Sequence, residues 1–81
     1  MSYGYSLRLV ELNQKACDLY DPTPVGVLLG KRCIDRGVSV ARVAEHLGVS
    51  RQTVYNWFIG AHFASPTHER MLEAFLKKLD K

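Results

Sequence analysis

The amino-acid sequence predicts an all-α fold, a small bundle of five helices. Three observations lead there. Apolar residues recur three and four positions apart in five separate segments, and no segment alternates apolar with polar as a half-buried strand does. Residues that start and stop helices bracket these segments, with Ser39, Ser50 and Ser65 ahead of them and Gly37, Gly48 and Gly60 behind. The 81 residues are 47% hydrophobic, which suits one folded domain over residues 1–81, near the lower size limit for a self-sufficient core.

The first helix is expected from about Leu7 to Tyr20. Leu9, Leu12, Ala16, Leu19 and Tyr20 share one face, and Arg8, Glu11, Gln14, Lys15 and Asp18 share the other. Glu11 and Lys15 stand at the favourable i,i+4 order. "YDPTP" ends this helix, because Pro22 and Pro24 disfavour helix in the residue before each of them. Thr23 is expected to cap a second helix, with Pro24 in its first position and Gly37 at its end. Gly26, Gly30 and Cys33 fall on one side of it, a spacing that lets another backbone come close. Each glycine weakens the helix by roughly 1 kcal/mol relative to alanine, so packing must compensate.

Ser39 caps a short third helix, Val40 to Leu47, with a stripe of Val40, Val43, Ala44 and Leu47 and with Arg42, Glu45 and His46 facing out. Gly48 breaks it. Ser50 caps a fourth helix from Arg51 to about Ile59, and Gly60 stops that one. "AHFAS" follows as a loop. Ser65 and Pro66 open the last helix, with Leu72, Phe75, Leu76 and Leu79 on one face and Glu73 paired with Lys77.

Two short helices joined by a few residues that include a glycine are the plan of a helix-turn-helix, here over residues 39–60. Ala44 lies where the two helices cross, and Gly48 takes the positive φ of the turn without steric cost. Val49, Val54 and Trp57 fill the angle between the helices, with Phe58 beside them. The other face of the fourth helix carries Arg51, Gln52, Tyr55 and Asn56 at i, i+1, i+4 and i+5. All four can hydrogen-bond, and a face that is merely solvated more often carries Glu and Lys. Arginine pairs with guanine edges, and Gln or Asn with adenine edges, in two-pronged geometry. A helix fits the major groove and enters with its N-terminal turn, which Arg51 and Gln52 occupy. Ser39 and Ser50, with the backbone N–H groups beside them, suit phosphate contacts.

"SVARVAEHLGVSRQTVYNWFIG" resembles the DNA-binding segment of the lambda repressor and Cro family of helix-turn-helix regulators, through Ala44, Gly48, Val54 and the later Gly60. The preceding "RCIDRGVS" is similar to the family's first core helix and its Gly-x-Ser approach to the motif. The resemblance covers about Thr23 to Leu79 and leaves residues 1–22 as an added helix. It implies that Ser50, Arg51, Gln52, Tyr55 and Asn56 touch bases or phosphates and that Arg42 touches a phosphate. Two positions depart from the pattern. Many members have Gln where this chain has Val40, and many have basic residues after the glycine, where "AHFAS" offers only His62. Backbone contacts are then fewer, or come from Arg8, Lys31 or Arg32.

Other chemistries find less support. Eleven Lys and Arg against eight Asp and Glu leave a net charge of +3, which suits an anionic partner. Cys17 and Cys33 read as buried thiols of a reducing compartment, and with His46, His62 and His68 they show no metal-ligand spacing, so no metal is expected. His68 reads as an interface histidine, His62 as the one near DNA. Trp57 reads as core; Tyr55 either touches DNA or covers a neighbour. Gly26 and Gly30 lack the Lys-Ser/Thr ending of a phosphate-binding loop. No catalytic motif, cofactor or small-molecule ligand is indicated. "MSYGYS" has no leader character, and no apolar run approaches the ~18 residues of a membrane span. The expectation is a cytoplasmic, sequence-specific binder of double-stranded DNA, a repressor of phage or plasmid type. It would act as a homodimer through the last helix or, alternatively, the first. A recombination accessory protein, or a helical protein-interaction module, is the alternative.

Overall fold

The second helix is the spine of the molecule. The computed structural model describes residues 5–80, and their element order is α1 (Leu7–Leu19), α2 (Val25–Arg36), α3 (Val40–Leu47), α4 (Arg51–Phe58) and α5 (Pro66–Leu79). Helix α2 packs against α1, α4 and α5, while α3 packs against α4. No strand occurs among the described residues. The reading of the first four residues as free of a leader lies outside them, and so does Lys81.

Local chemistry sets the boundaries. Ser6, Ser39, Ser50 and Ser65 each accept a hydrogen bond from the backbone N–H three residues on, which satisfies one open donor of the first turn. Gly37 and Gly48 end α2 and α3 in the left-handed region, at φ 69° and 70°. Helix α2 differs from expectation. Its N-cap is Pro24 and no side chain bonds its first turn, because the Thr23 hydroxyl turns back and donates to the Tyr20 carbonyl at 3.3 Å.

The core joins Leu29 and Cys33 of α2 to Val43, Ala44 and Leu47 of α3, Val54, Trp57 and Phe58 of α4, and Leu72 and Phe75 of α5. The two glycines of α2 make this possible. A β-carbon on Gly26 would stand 2.9 Å from the Trp57 Cβ, and one on Gly30 would stand 2.8 Å from the Phe58 ring. Helix α4 therefore lies directly on the α2 backbone, the close approach that the glycine spacing implies.

Two expected surfaces are different in the fold. Leu72 is fully buried and Phe75 is 7% exposed, so the α5 stripe read as a dimer face is core of one chain, with Leu76 and Leu79 half-buried against it. On α1, Leu9 and Ala16 are buried as expected, but Leu19 is 73% exposed and Asn13 is buried in the same stripe. Asn13 is tolerated because its amide donates to the Val27 carbonyl at 3.1 Å and the Phe58 carbonyl at 2.7 Å. The α1 helix is thus more than an addition: it ties α2 to the end of α4. The Tyr5 hydroxyl makes a similar tie to the Val38 carbonyl between α2 and α3.

The ion pairs among the described residues are Lys31 with Asp35, at 3.7 Å, and Arg32 with Asp80, at 2.9 Å. The Glu11–Lys15 and Glu73–Lys77 pairs expected from spacing are not among them. No helix among the described residues is long and apolar enough to cross a membrane.

Candidate nucleic-acid interface

Two caps and a turn hold the motif. The Gly48 N–H and the Val49 N–H, at 3.1 Å, both donate to the Ala44 carbonyl, closing α3 and turning the chain toward α4. Ser50 then starts α4, its hydroxyl oxygen accepting from the Thr53 N–H at 3.1 Å and lying 2.8 Å from the Thr53 hydroxyl. The inner side of α4 is fully committed: Val54 and Phe58 are 0% exposed and Trp57 is 5% exposed. Trp57 is accordingly core and no stacking platform. His68 supports it from α5, ring centroids 5.4 Å apart.

The outer side of α4 is left free. Arg51, Gln52 and Tyr55 are exposed and Asn56 is half-exposed. Gln52 and Asn56 act as a pair, the Gln52 Nε2 donating to the Asn56 Oδ1 at 3.1 Å. That bond orients both amides before any partner arrives, and leaves the Gln52 oxygen as acceptor and the Asn56 amide hydrogens as donors. The face therefore offers a guanidinium, a fixed amide pair and a phenol from successive turns of one helix.

The remaining predicted residues lie around this face. Ser39 and Arg42 are exposed on the first turn of α3, linked by the Arg42 N–H donating to the Ser39 hydroxyl oxygen at 3.2 Å. Val40, where a glutamine is usual in the resembled family, is 5% exposed and forms core, which is why a polar side chain is absent there. His62 stands apart. Its N–H donates to the Asn56 carbonyl at 3.3 Å, so it sits at the C-terminal end of α4, away from the Arg51 turn. Of the substitute contacts, Arg32 and Lys31 are engaged in ion pairs and Arg8 is exposed on α1. Thr53 and Asn13 were not among the residues singled out by sequence. Thr53 shares the Ser50 cap, and Asn13 holds the far end of α4 by its last carbonyl. An asparagine between Leu9 and Ala16 at helical spacing was the available signal.

The two cysteines are held as thiols. Burial pushes the Cys33 thiol up to about 12, and the Cys17 thiol is raised for the same reason, which disfavours thiolate. No group of three or more His, Cys, Asp or Glu side chains comes together as a metal site among the described residues.

Residues 28–58 match a helix-turn-helix family model described as a homeodomain-like domain. The matched span takes in most of α2 and all of α3 and α4, and stops short of α5. No curated protein and no solved structure matches the chain. The match is to less than half of the sequence. It supports a DNA-binding helix-turn-helix in general, without singling out the lambda repressor and Cro type.

Proposed function

We propose that the protein is a sequence-specific transcriptional regulator of double-stranded DNA, a repressor of phage or plasmid type related to the lambda repressor and Cro family, acting in the cytoplasm without catalysis or a cofactor. The observation that carries this reading is the division of α4. Val54, Trp57 and Phe58 are sunk in the core, while Arg51, Gln52, Tyr55 and Asn56 are turned outward beside two serine-capped helix starts. In the groove, Arg51 and the Gln52–Asn56 pair would read base edges, and Ser39, Ser50 and Arg42 would take phosphates. His62, at the other end of α4, would reach at most a flanking phosphate. Occupying an operator would block a promoter.

One eight-residue helix reads few base pairs, so the reading includes a homodimer on half-sites about one helical turn apart. Its interface would exclude Leu72 and Phe75, which are buried, and draw instead on exposed Leu7, Leu19 or Met71.

The test is selection of bound sequences from random duplexes, then titration of the winner at two salt concentrations. Affinity should fall steeply with salt, and Arg42→Ala should weaken all sequences alike and flatten the salt slope by about one unit. Absence of duplex binding at low salt would overturn the reading and favour a protein-interaction module.

A further inference from the structure

We propose that a cleft behind α4 binds a small organic cation, an ammonium ion carrying an aryl or alkyl group, against the aromatic pair of Tyr20 and Phe63 and beside the carboxylate of Glu69. The cleft has a volume of about 300 Å³ and lies between the end of α1, the start of α2, the loop after α4 and the first turns of α5. That volume is at the lower end of the range typical of small-ligand sites. Gly26 contributes floor without a side chain, at the point where a β-carbon would meet Trp57. The sequence alone gives no sign of such a ligand, because the lining residues come from five separated stretches of the chain.

The chemistry of the lining selects the charge. Tyr20 and Phe63 meet edge to face, ring centroids 5.4 Å apart at 86°, and the buried Trp57 forms part of the wall. Aromatic faces carry a negative quadrupole that attracts ammonium groups, most strongly where water is excluded. Among the described residues, Glu69 is the one carboxylate that lines the cleft, and no lysine or arginine lines it. Among the described residues Glu69 makes no ion pair, whereas Asp35 and Asp80 do. His62 also lines the cleft and is the one basic side chain there among the described residues. Phe63 is 58% exposed, an uncovered ring at the cleft that a bound ligand would shield. Of the proposed DNA contacts only His62 touches the cleft, and the argument for the cation does not depend on it, so the two proposals stand or fall separately.

Trp57 is the only tryptophan and reports on the cleft directly. The whole protein, without DNA, is titrated with benzyltrimethylammonium chloride while Trp57 emission is followed. Benzyl alcohol and sodium benzoate serve as the neutral and anionic probes, with sodium chloride as the ionic-strength control. The expected result is a saturable change with the ammonium compound alone. Glu69→Gln and Phe63→Ala, both at exposed positions, should each weaken it roughly tenfold while circular dichroism stays unchanged. No saturable change with the ammonium probe overturns the proposal. So does an equal response to benzyl alcohol or benzoate, and so does a response that Glu69→Gln leaves intact, whatever Phe63→Ala does.

Discussion

The side-chain amide of Asn13 donates to the main-chain carbonyl of Phe58 across 2.7 Å, joining α1 to the last turn of α4. The Phe58 carbonyl is at a helix end and has no later N–H of its own helix to accept from. Asn13 is 3% exposed, so water is a poor substitute. Asn13→Ala should therefore destabilise the fold by about 1–3 kcal/mol, the cost of a buried polar group left without its partner. Asn13→Asp should be worse at neutral pH, where a carboxylate would face two carbonyls. Its folded pKa would be raised, so the deficit should shrink as pH falls from 7 toward the ordinary carboxylate value of ~4 and level off below it. Urea melts at pH 7 and pH 3.5, compared with wild type at each pH, decide it; equal melting of Asn13→Ala and wild type would discard this role.

Gly30 sits against the same pair of residues. Alanine is the better helix former by roughly 1 kcal/mol, so helix propensity alone predicts that Gly30→Ala stabilises α2. The added β-carbon would stand 2.8 Å from both the Asn13 Nδ2 and the Phe58 ring, and Phe58 is 0% exposed with nowhere to move. Overpacking of this kind costs about 1–3 kcal/mol, so the net effect should be destabilising. Gly48→Ala is the contrast. Nothing lies within 4 Å of its new β-carbon, and its cost is the backbone strain of φ +70°, about 1–2 kcal/mol. A Gly30→Ala protein more stable than wild type in thermal melts would show that α2 and α4 do not meet so closely.

Gln52→Ala should weaken binding to the selected duplex by about 1–3 kcal/mol and relax preference at one base pair, with the melting temperature unchanged because Gln52 is exposed. The hydrogen bond from Gln52 to Asn56 adds a sharper expectation. The two residues share one orientation, so Gln52→Ala and Asn56→Ala should be non-additive in a double-mutant cycle, by about 0.5–1 kcal/mol or more. Strict additivity of the measured affinities would mean that the amides act alone.

Alkaline pH should loosen the fold. The Cys33 thiol, ordinarily near 9.0, is pushed up to about 12 by burial, and the Tyr5 phenol is raised above its ordinary 10.0, first by burial and then by the nearby Cys33 and Tyr55. The unfolded chain thus releases these protons first. The stability they support is complete below pH 9 and declines as pH rises beyond it, by at most about 1.4 kcal/mol per pH unit for Cys33. Cys33→Ala should flatten this decline. Denaturation midpoints measured from pH 7 to 11 provide the check, and an unchanged slope in the variant would remove Cys33 as its source.

The helix ends of α3, α4 and α5 were legible because they are local matters: Ser39, Ser50 and Ser65 cap within three residues, and Gly48 turns on its own torsion. The exposed set on α4 was legible for a similar reason, since its spacing alone places it opposite Val54 and Trp57. Asn13, Leu19 and Phe75 were not legible. Whether an apolar stripe is covered depends on which helix reaches it, and a buried amide looks polar until its carbonyl partners are known. Thr23 does not cap α2 because two short-range partners compete for its hydroxyl, and the Tyr20 carbonyl takes it. The cleft of Tyr20, Phe63 and Trp57 was invisible because it assembles residues far apart in the chain.

The two sides of α4 share no residue, and this has an evolutionary consequence. Arg51, Gln52, Tyr55 and Asn56 are outside the buried core, so mutations among them are filtered by what the protein touches and hardly by whether it folds. On the proposed reading of this face, a lineage can change its recognition in single steps, each intermediate still folded, while Val54, Trp57, Phe58 and the glycines beneath them stay in place. A library randomised at those four positions would consist largely of folded members, each a ready variant for selection against a new target.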